Sequence, residues 1–341
     1  MNIVLTLDYE LYFGSKTGSV RTSIIEATEK LLSVLDKFDI KAVFFVDIGF
    51  VKRLAEFKSD YPELQKDYEL ITNQLKKLSE NGHDLQLHIH PHWEDSVYEN
   101  GKWDIDASRY RLADWSENKI REIVTSYKKN LEQFRVNNKV FAYRAGGWCI
   151  QPFTKIKGAL EENSVWLDST VYQGGYQEDE ARYFDFRCAP KTTKWKFENN
   201  PLAPDKSGSF LEIPISSYKV SPFFYWKLAF TKLLDNPKHK TLGDGGPLPA
   251  AKKWILQKLL LPSNTVVSID GYKASFLERA FDYYQTDKPD ADFVIIGHPK
   301  ALTKYSLQKF EEFIEEHKEK HQFYTFDRLL EEGSIEKPQK N

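Results

Sequence analysis

Short apolar runs alternate with longer stretches of helical period along almost the whole chain, and this alternation limits its fold more than any other feature. The runs are Ile3-Leu7, Ala42-Val46, Leu85-His88, Val140-Tyr143, Val165-Asp168, Leu211-Ile215, Val266-Ile269 and Phe293-Ile296. Each has the length of a strand. Helical patterns lie between them, from Ile24 to Phe38, Leu64 to Ser79, Glu117 to Phe134, Phe153 to Glu161, Ser275 to Tyr284 and Ser306 to His317. In the first, Ala27, Leu31, Leu35 and Phe38 fall on one face. Strands separated by helices of this length are βαβ units of a parallel sheet. With motifs at several strand ends, they predict an α/β fold, a distorted or incomplete (β/α) barrel of seven to eight parallel strands. The sequence has no internal repeat and no Gly-, Ser- or Pro-rich linker. Residues 1–332 are therefore expected to form a single domain with insertions near 94–115, 173–209 and 217–262. The tail, 333–341, is expected to fray. Each insertion carries tryptophan: Trp103 and Trp115, Trp195, then Trp226 and Trp254. These could shape substrate access or close the insertions' own small cores.

Composition removes several function classes. The formal charge is −2, without the basic excess of a nucleic-acid binder, so no nucleic acid is expected as a partner. Cys149 and Cys188 make no disulfide framework and no metal knuckle. The chain starts directly in an apparent strand, and no run of about 20 apolar residues is present. A cytoplasmic protein is the expectation.

Chemistry concentrates in Gly82-His83-Asp84-Leu85-Gln86-Leu87-His88-Ile89-His90-Pro91-His92-Trp93. Four of the chain's eight histidines fall there. Neutral imidazole is a leading ligand for zinc and similar metals. On an extended segment His88, His90 and His92 would share a face. Pro91 cannot donate to a ladder, so the strand should stop near His90.

Other strand ends carry titratable or special residues. After the first come Asp8, Tyr9 and Glu10, with the two acids on one face and Tyr9 on the other. A buried unpaired carboxylate is costly, so such acids need a metal or a proton-transfer role, unless they form a surface turn. The fourth strand ends in Tyr143-Arg144-Ala145-Gly146-Gly147-Trp148, where Arg144 could grip a carboxylate and the glycines permit close approach. The fifth ends in Asp168 and the last in Gly297-His298-Pro299. Convergence of this kind on one face of a barrel is the pattern of an active site.

Taken in order, these motifs resemble the polysaccharide deacetylases of the NodB-homology, carbohydrate-esterase type. Thr6-Leu7-Asp8-Tyr9-Glu10 is similar to the family's first motif, usually T-F-D-D-G. Gly82-His83-Asp84 with His88 and His92 is similar to its second. The Arg144 segment is similar to the third, Asp168 to the fourth, and Ile295-Ile296-Gly297-His298-Pro299 to the last. Phe323-Tyr324-Thr325-Phe326 is similar to the closing strand. The resemblance implies a glycoside hydrolase/deacetylase-like barrel and a divalent metal, zinc in the first place. It implies His88 and His92 as ligands, Asp8 as general base and His298 as general acid. Arg144 would orient Asp8 and Asp168 would support His298. Tyr9 stands where the family's usual carboxylate ligand would be. Glu10 is the substitute, giving Glu10, His88 and His92, with His90 as an alternative ligand. Gly146, Gly147 and Trp148 would contact substrate.

The activity implied is metal-dependent removal of an N-acetyl or similar acyl group from a sugar, a hydrolysis of a non-peptide carbon–nitrogen bond. A cytoplasmic member would act on a nucleotide- or lipid-linked N-acylated sugar. Two rivals stay open. One is a degenerate barrel that binds glycan without cleaving it, suggested by Tyr9 and His90. The other is an amidohydrolase-type site using His88 and His90. The apolar segments Phe223 to Phe230 and Ile255 to Leu261, with their interspersed lysines, could rest on a membrane surface. Packing against the barrel is the reading favoured for them. The sequence sets neither the sugar nor the oligomeric state.

Overall fold

The computed structural model describes residues 1–339 except 15, 137–138, 235, 249–251 and 289–290. One sheet of nine strands dominates it. Seven are parallel and run, edge to edge, Asp292–Gly297, Asn2–Tyr9, Val43–Asp47, Asp84–Ile89, Ala142–Ala145, Leu167–Asp168 and Phe210–Glu212. Trp195–Phe197 adds an antiparallel edge, and Gln322–Tyr324 pairs with the start of the first strand.

The two ends of this sheet come together. The chain after Phe210–Glu212 leans from Val171 to Val294: Ile215 N–H donates to Val171 O at 2.8 Å and Ser216 N–H to Val294 O at 3.0 Å. Residues 266–269 fill the remaining gap, bonded to Ser216 O through Val267 N–H and to Ile296 through Ile269 N–H. Ser268 makes a parallel bridge to Ile296. A few isolated bonds thus close the seam where a full ladder would close a regular barrel. This is the incomplete (β/α) barrel expected: seven parallel strands and the bridging segment 266–269 correspond to the eight apolar runs of the sequence.

Alternation along each strand explains the two-layer core. Outward residues such as Ile3, Leu5, Phe44, Leu85 and Leu87 pack beneath the helices. Of these, Ala27–Lys37 seats Ala27, Leu31 and Leu35 at 0% exposure, the apolar face read from sequence. A π-helical turn, Val20–Glu26, leads into it. Inward residues Val4, Val43, Phe45, Ala142, Leu167 and Val294 form a second cluster that fills the barrel floor. The helix Phe326–Glu331 plugs that end with Phe326 and Leu329. Ile335 joins the plug at 4% exposure. The tail expected to fray is therefore anchored at least to Ile335, while 340–341 lie outside the described residues.

Higher in the barrel the same inward positions turn polar. On the first strand the series is Val4, Thr6, Asp8 and then Glu10. On Asp84–Ile89 it is Gln86, His88 and then His90. Ala142 is followed by Arg144. The apolar floor gives way to a buried polar mouth at the strands' C-terminal ends, the end where α/β folds bind ligands.

Candidate active site

Arg144 organises this mouth. It is fully buried and each of its three side-chain nitrogens donates. Nε donates to Ser169 O at 2.8 Å, and Nη2 to Thr6 Oγ1 at 2.9 Å and Ser169 Oγ at 3.2 Å. Nη1 donates to Asp8 Oδ1 at 2.7 Å, and the guanidinium lies 4.1 Å from the Phe45 ring centre. Burial alone would raise the Asp8 pKa, but the Arg144 and His88 charges overcome it and hold this carboxyl well below the usual range. Asp8 is thus a fixed carboxylate whose second oxygen, Oδ2, faces the cleft, 3.4 Å from His298 Nε2.

His298 is held from behind by Asp270. Its Nδ1 lies 2.8 Å from Asp270 Oδ2, and its backbone N–H donates to Oδ1 at 2.8 Å. Burial opposes charge on the imidazole, yet Asp270 and Asp8 raise its pKa to about 10. His298 therefore carries a proton on Nε2 at neutral pH. This corrects the expected support from Asp168. That carboxylate instead accepts from Thr170 N–H at 3.0 Å and Thr170 Oγ1 at 2.7 Å, and Thr170 Oγ1 accepts from Ala145 N–H. Asp168 fixes the turn before Gly146, in register beside the buried Glu212. Burial raises the pKa of both acids.

Glu10, His88 and His90 form the third group. His90 Nε2 is 2.7 Å from Glu10 Oε2, His88 Nε2 is 3.1 Å from it, and the two nitrogens are 3.1 Å apart. His88 Nδ1 lies 2.8 Å from Arg144 O. A carbonyl only accepts, so Nδ1 carries the hydrogen and Nε2 is the atom turned towards Glu10; burial opposes charge on this ring, yet the Asp8 and Glu10 carboxylates raise its pKa. Burial lowers the His90 pKa to about 4 despite Glu10, so His90 is neutral. Two imidazole nitrogens converging on one carboxylate oxygen are held there by protons or by a metal ion in their place. Two histidines and an acid are a common donor set for zinc, and the backbone contact to His88 Nδ1 is the usual outer support. The residues fit a divalent metal.

His92 lies outside this group. Pro91 ends the strand and opens a 3₁₀ turn, Pro91–Glu94, so the alternation stops after His90. The His92 ring stacks on Tyr110, with centroids 5.6 Å apart and planes at 21°. The expected sharing of a face by three histidines holds for two. His83, in the same motif, accepts from Ala42 N–H at 3.1 Å and is structural.

The glycines act through space. A Cβ at Gly146 would sit 2.6 Å from His90 Nδ1 and 2.6 Å from Ile89 O. Gly146 thus lets His90 reach Glu10. Gly147 has φ +57° and passes close to Tyr110. Trp148, at φ +62°, leans on Tyr172 and Phe184. Gly147 and Trp148 line a cleft of about 260 Å³ with Asp8, Glu10, His88, His90 and His298.

Three contributors went unread in the sequence. Asp270 follows the strand run Val266-Ile269, so the strand-end rule that found Asp168 also points to it. Lys300 lies two residues past His298. Its Nζ donates to Glu10 Oε1 at 2.8 Å and also to Leu11 O. Tyr110 comes from the first insertion, and this ring, not Trp103 or Trp115, lines the cleft. Tyr9, as expected, points away, donating to Gln74 Oε1 at 2.9 Å.

Residues 3–149 match the family model for polysaccharide deacetylase. Over that span the chain resembles the polysaccharide deacetylase family. The matched span includes Asp8, Glu10, Arg144 and the whole histidine cluster. No curated protein matches the chain significantly. Among solved structures it is similar to a Mycobacterium smegmatis protein provisionally described as a polysaccharide deacetylase, at 13% identity and TM-score 0.47, covering 99% of this chain and 92% of that one. It is also similar to the peptidoglycan deacetylase PdaC of Bacillus subtilis, at 13% identity and TM-score 0.36, covering 98% and 91%. A third is BA3943 of Bacillus anthracis, described as a CE4 family pseudoenzyme, at 13% identity and TM-score 0.39, covering 97% and 66%.

Proposed function

We propose that this protein is a metal-dependent hydrolase of the polysaccharide deacetylase type that removes an N-acetyl or similar acyl group from a sugar. One observation carries the reading. A fixed carboxylate, a protonated imidazole and a convergent Glu–His–His donor set open onto one cleft. Glu10, His88 and His90 would hold the metal, zinc in the first place. When bound, the ion supplies a Lewis acid for the acyl oxygen and lowers the pKa of a water.

The chain's own residues do the proton work. Asp8 accepts the proton of the attacking water at Oδ2, while Arg144 fixes Oδ1 and keeps the carboxylate ionised. His298 delivers its Nε2 proton to the leaving nitrogen as the carbon–nitrogen bond breaks. Asp270 keeps Nδ1 protonated and the ring aimed. The products are a carboxylate and an amino sugar. Gly147, Trp148 and Tyr110 line the space for the sugar. A nucleotide- or lipid-linked sugar acted on in the cytoplasm is the substrate form we favour.

A second reading is a barrel that binds acylated glycan without turnover. The Lys300–Glu10 ion pair favours it, because it takes one oxygen of the proposed ligand. Acetate release from N-acetylglucosamine oligomers and from a nucleotide-linked N-acetyl sugar separates the two, with and without added zinc. Zinc-dependent acetate release supports the hydrolase. Sugar binding without acetate release, by zinc-loaded protein, supports the second reading.

A further inference from the structure

The 217–262 insertion contains two helices, Pro222–Leu233 and Lys252–Leu260. They pack on each other, and Trp226 Nε1 donates to Leu259 O at 3.1 Å. Packing on the barrel is the usual fate of apolar helices; here the first helix packs through Phe224, at 2% exposure against Tyr272 and Phe276, and leaves most of its apolar side chains outside. Lys252–Leu260 has no buried residue. Thirteen large apolar side chains are exposed among the described residues, and nine of them lie between Phe223 and Leu261. On the first helix Phe223, Trp226, Phe230 and Leu233 follow the three- and four-residue spacing of a single face. Their exposures are 76%, 47%, 57% and 79%. A patch of this kind marks an interaction surface.

Charge selects the partner. Residues 213–269 contain eight lysines and two acids, Asp235 and Asp244, in a chain whose formal charge is −2. Asp244 is committed to Ser19 and Ser23. Lys227, Lys252 and Lys253 are exposed on the same helices as the apolar side chains. Long lysine stems can lie along an apolar surface with the ammonium turned outward. A second copy of this face would bring like charges together. Anionic headgroups above an acyl layer complement both features. No described helix is long and apolar enough to cross a membrane, so the fit is to a surface.

We propose that this helical pair docks the protein on a bilayer that contains anionic lipid. The connection between the helices ties the docked surface to the catalytic cleft. Gly246 N–H donates to Lys16 O at 2.8 Å and Gly246 O accepts from Gly14 N–H at 3.2 Å. Pro247 and Leu248 then line the cleft itself. Docking would hold the cleft beside the headgroup layer.

Vesicle flotation tests this with the full chain. Vesicles of phosphatidylcholine are compared with vesicles in which part is replaced by phosphatidylglycerol. Binding to the anionic vesicles is expected, and about tenfold weaker binding to the neutral ones or at high salt. The double variant F230S/L233S and the double variant K252E/K253E should each lose about tenfold or more in affinity. Both should keep wild-type melting and turnover of a water-soluble substrate. Wild-type protein that ignores anionic vesicles overturns the proposal, as does binding unchanged in both variants. A wild-type dimer in light scattering that F230S/L233S converts to monomer also overturns it, giving the face to a second copy. Vesicle binding is read without turnover, so its failure leaves the hydrolase reading untouched.

Discussion

Asp270 grips His298 at two points, with Oδ2 2.8 Å from the ring Nδ1 and Oδ1 accepting the backbone N–H at 2.8 Å. The folded pKa of His298 is raised to about 10, with Asp270 a principal cause against burial. The imidazole is then charged below that pH and loses its proton above it. A general acid of this kind gives an alkaline limb in kcat/KM. Asp270→Asn removes the charge that holds the proton, so the limb should move to lower pH. The rate at neutral pH should fall about 10–100-fold, part of the usual acid–base contribution. Asp168→Asn, which alters the Thr170 turn, should leave the limb in place. A pH–rate profile of the three proteins checks this.

Asp8 carries the base role, so Asp8→Asn should lower turnover by about 10²–10⁴-fold. It should keep its metal, because Asp8 is not in the donor set. Near-normal turnover would remove the base assignment. Loss of metal would make Asp8 a ligand.

Gly146 is tested by Gly146→Ala. The new Cβ would sit 2.6 Å from both His90 Nδ1 and Ile89 O. One contact is backbone, so the ring and strand must shift. Overpacking of this kind costs about 1–3 kcal/mol, read as a fall in Tm of a few degrees. Zinc affinity should fall with it, because His90 is displaced. Unchanged melting and affinity would show that His90 does not need this gap.

A buried trio far from the cleft sets a pH dependence of stability. Arg135 donates to Asp84 Oδ1 at 3.1 Å and to Asp327 Oδ2 at 2.7 Å. Burial and the Asp84 charge raise the Asp327 pKa to about 8 despite Arg135. The folded protein therefore holds a proton that the unfolded chain releases near pH 4. Stability should fall as pH rises from about 4 to about 8. Asp327→Asn removes that loss, so its Tm relative to wild type should be higher at pH 8.5 than at pH 5. An Asn variant that loses ground at the higher pH would mean the Arg135 ion pair outweighs the repulsion.

The barrel was readable because strand length and helical period recur along the chain and need no tertiary knowledge. Asp8, Glu10 and His88 were readable for a related reason. Alternation on a strand fixes which side chains share a face. His92 was misread where the alternation ended, since Pro91 turns the strand into a 3₁₀ turn. Asp270 meets His298 across the barrel's seam, and Lys300 meets Glu10 because the first strand pairs with Asp292–Gly297. Lys300 and Glu10 are 290 residues apart, and no local spacing reports such a pair. The seam at 213–216 and 266–269 is held by single bonds, so its strand runs were legible while the manner of closure was not. The exposed helical pair inverts the rule that apolar faces turn inward, and a period reports a face without saying what covers it.

Metal per chain tests the central claim most directly, measured by plasma mass spectrometry on zinc-reloaded protein without a histidine tag. The wild type and His92→Phe should retain close to one zinc through dialysis, while Glu10→Ala, His88→Phe and His90→Phe should each lose it. Wild-type protein that retains none, or a His92→Phe variant that alone loses it, would contradict the site as drawn.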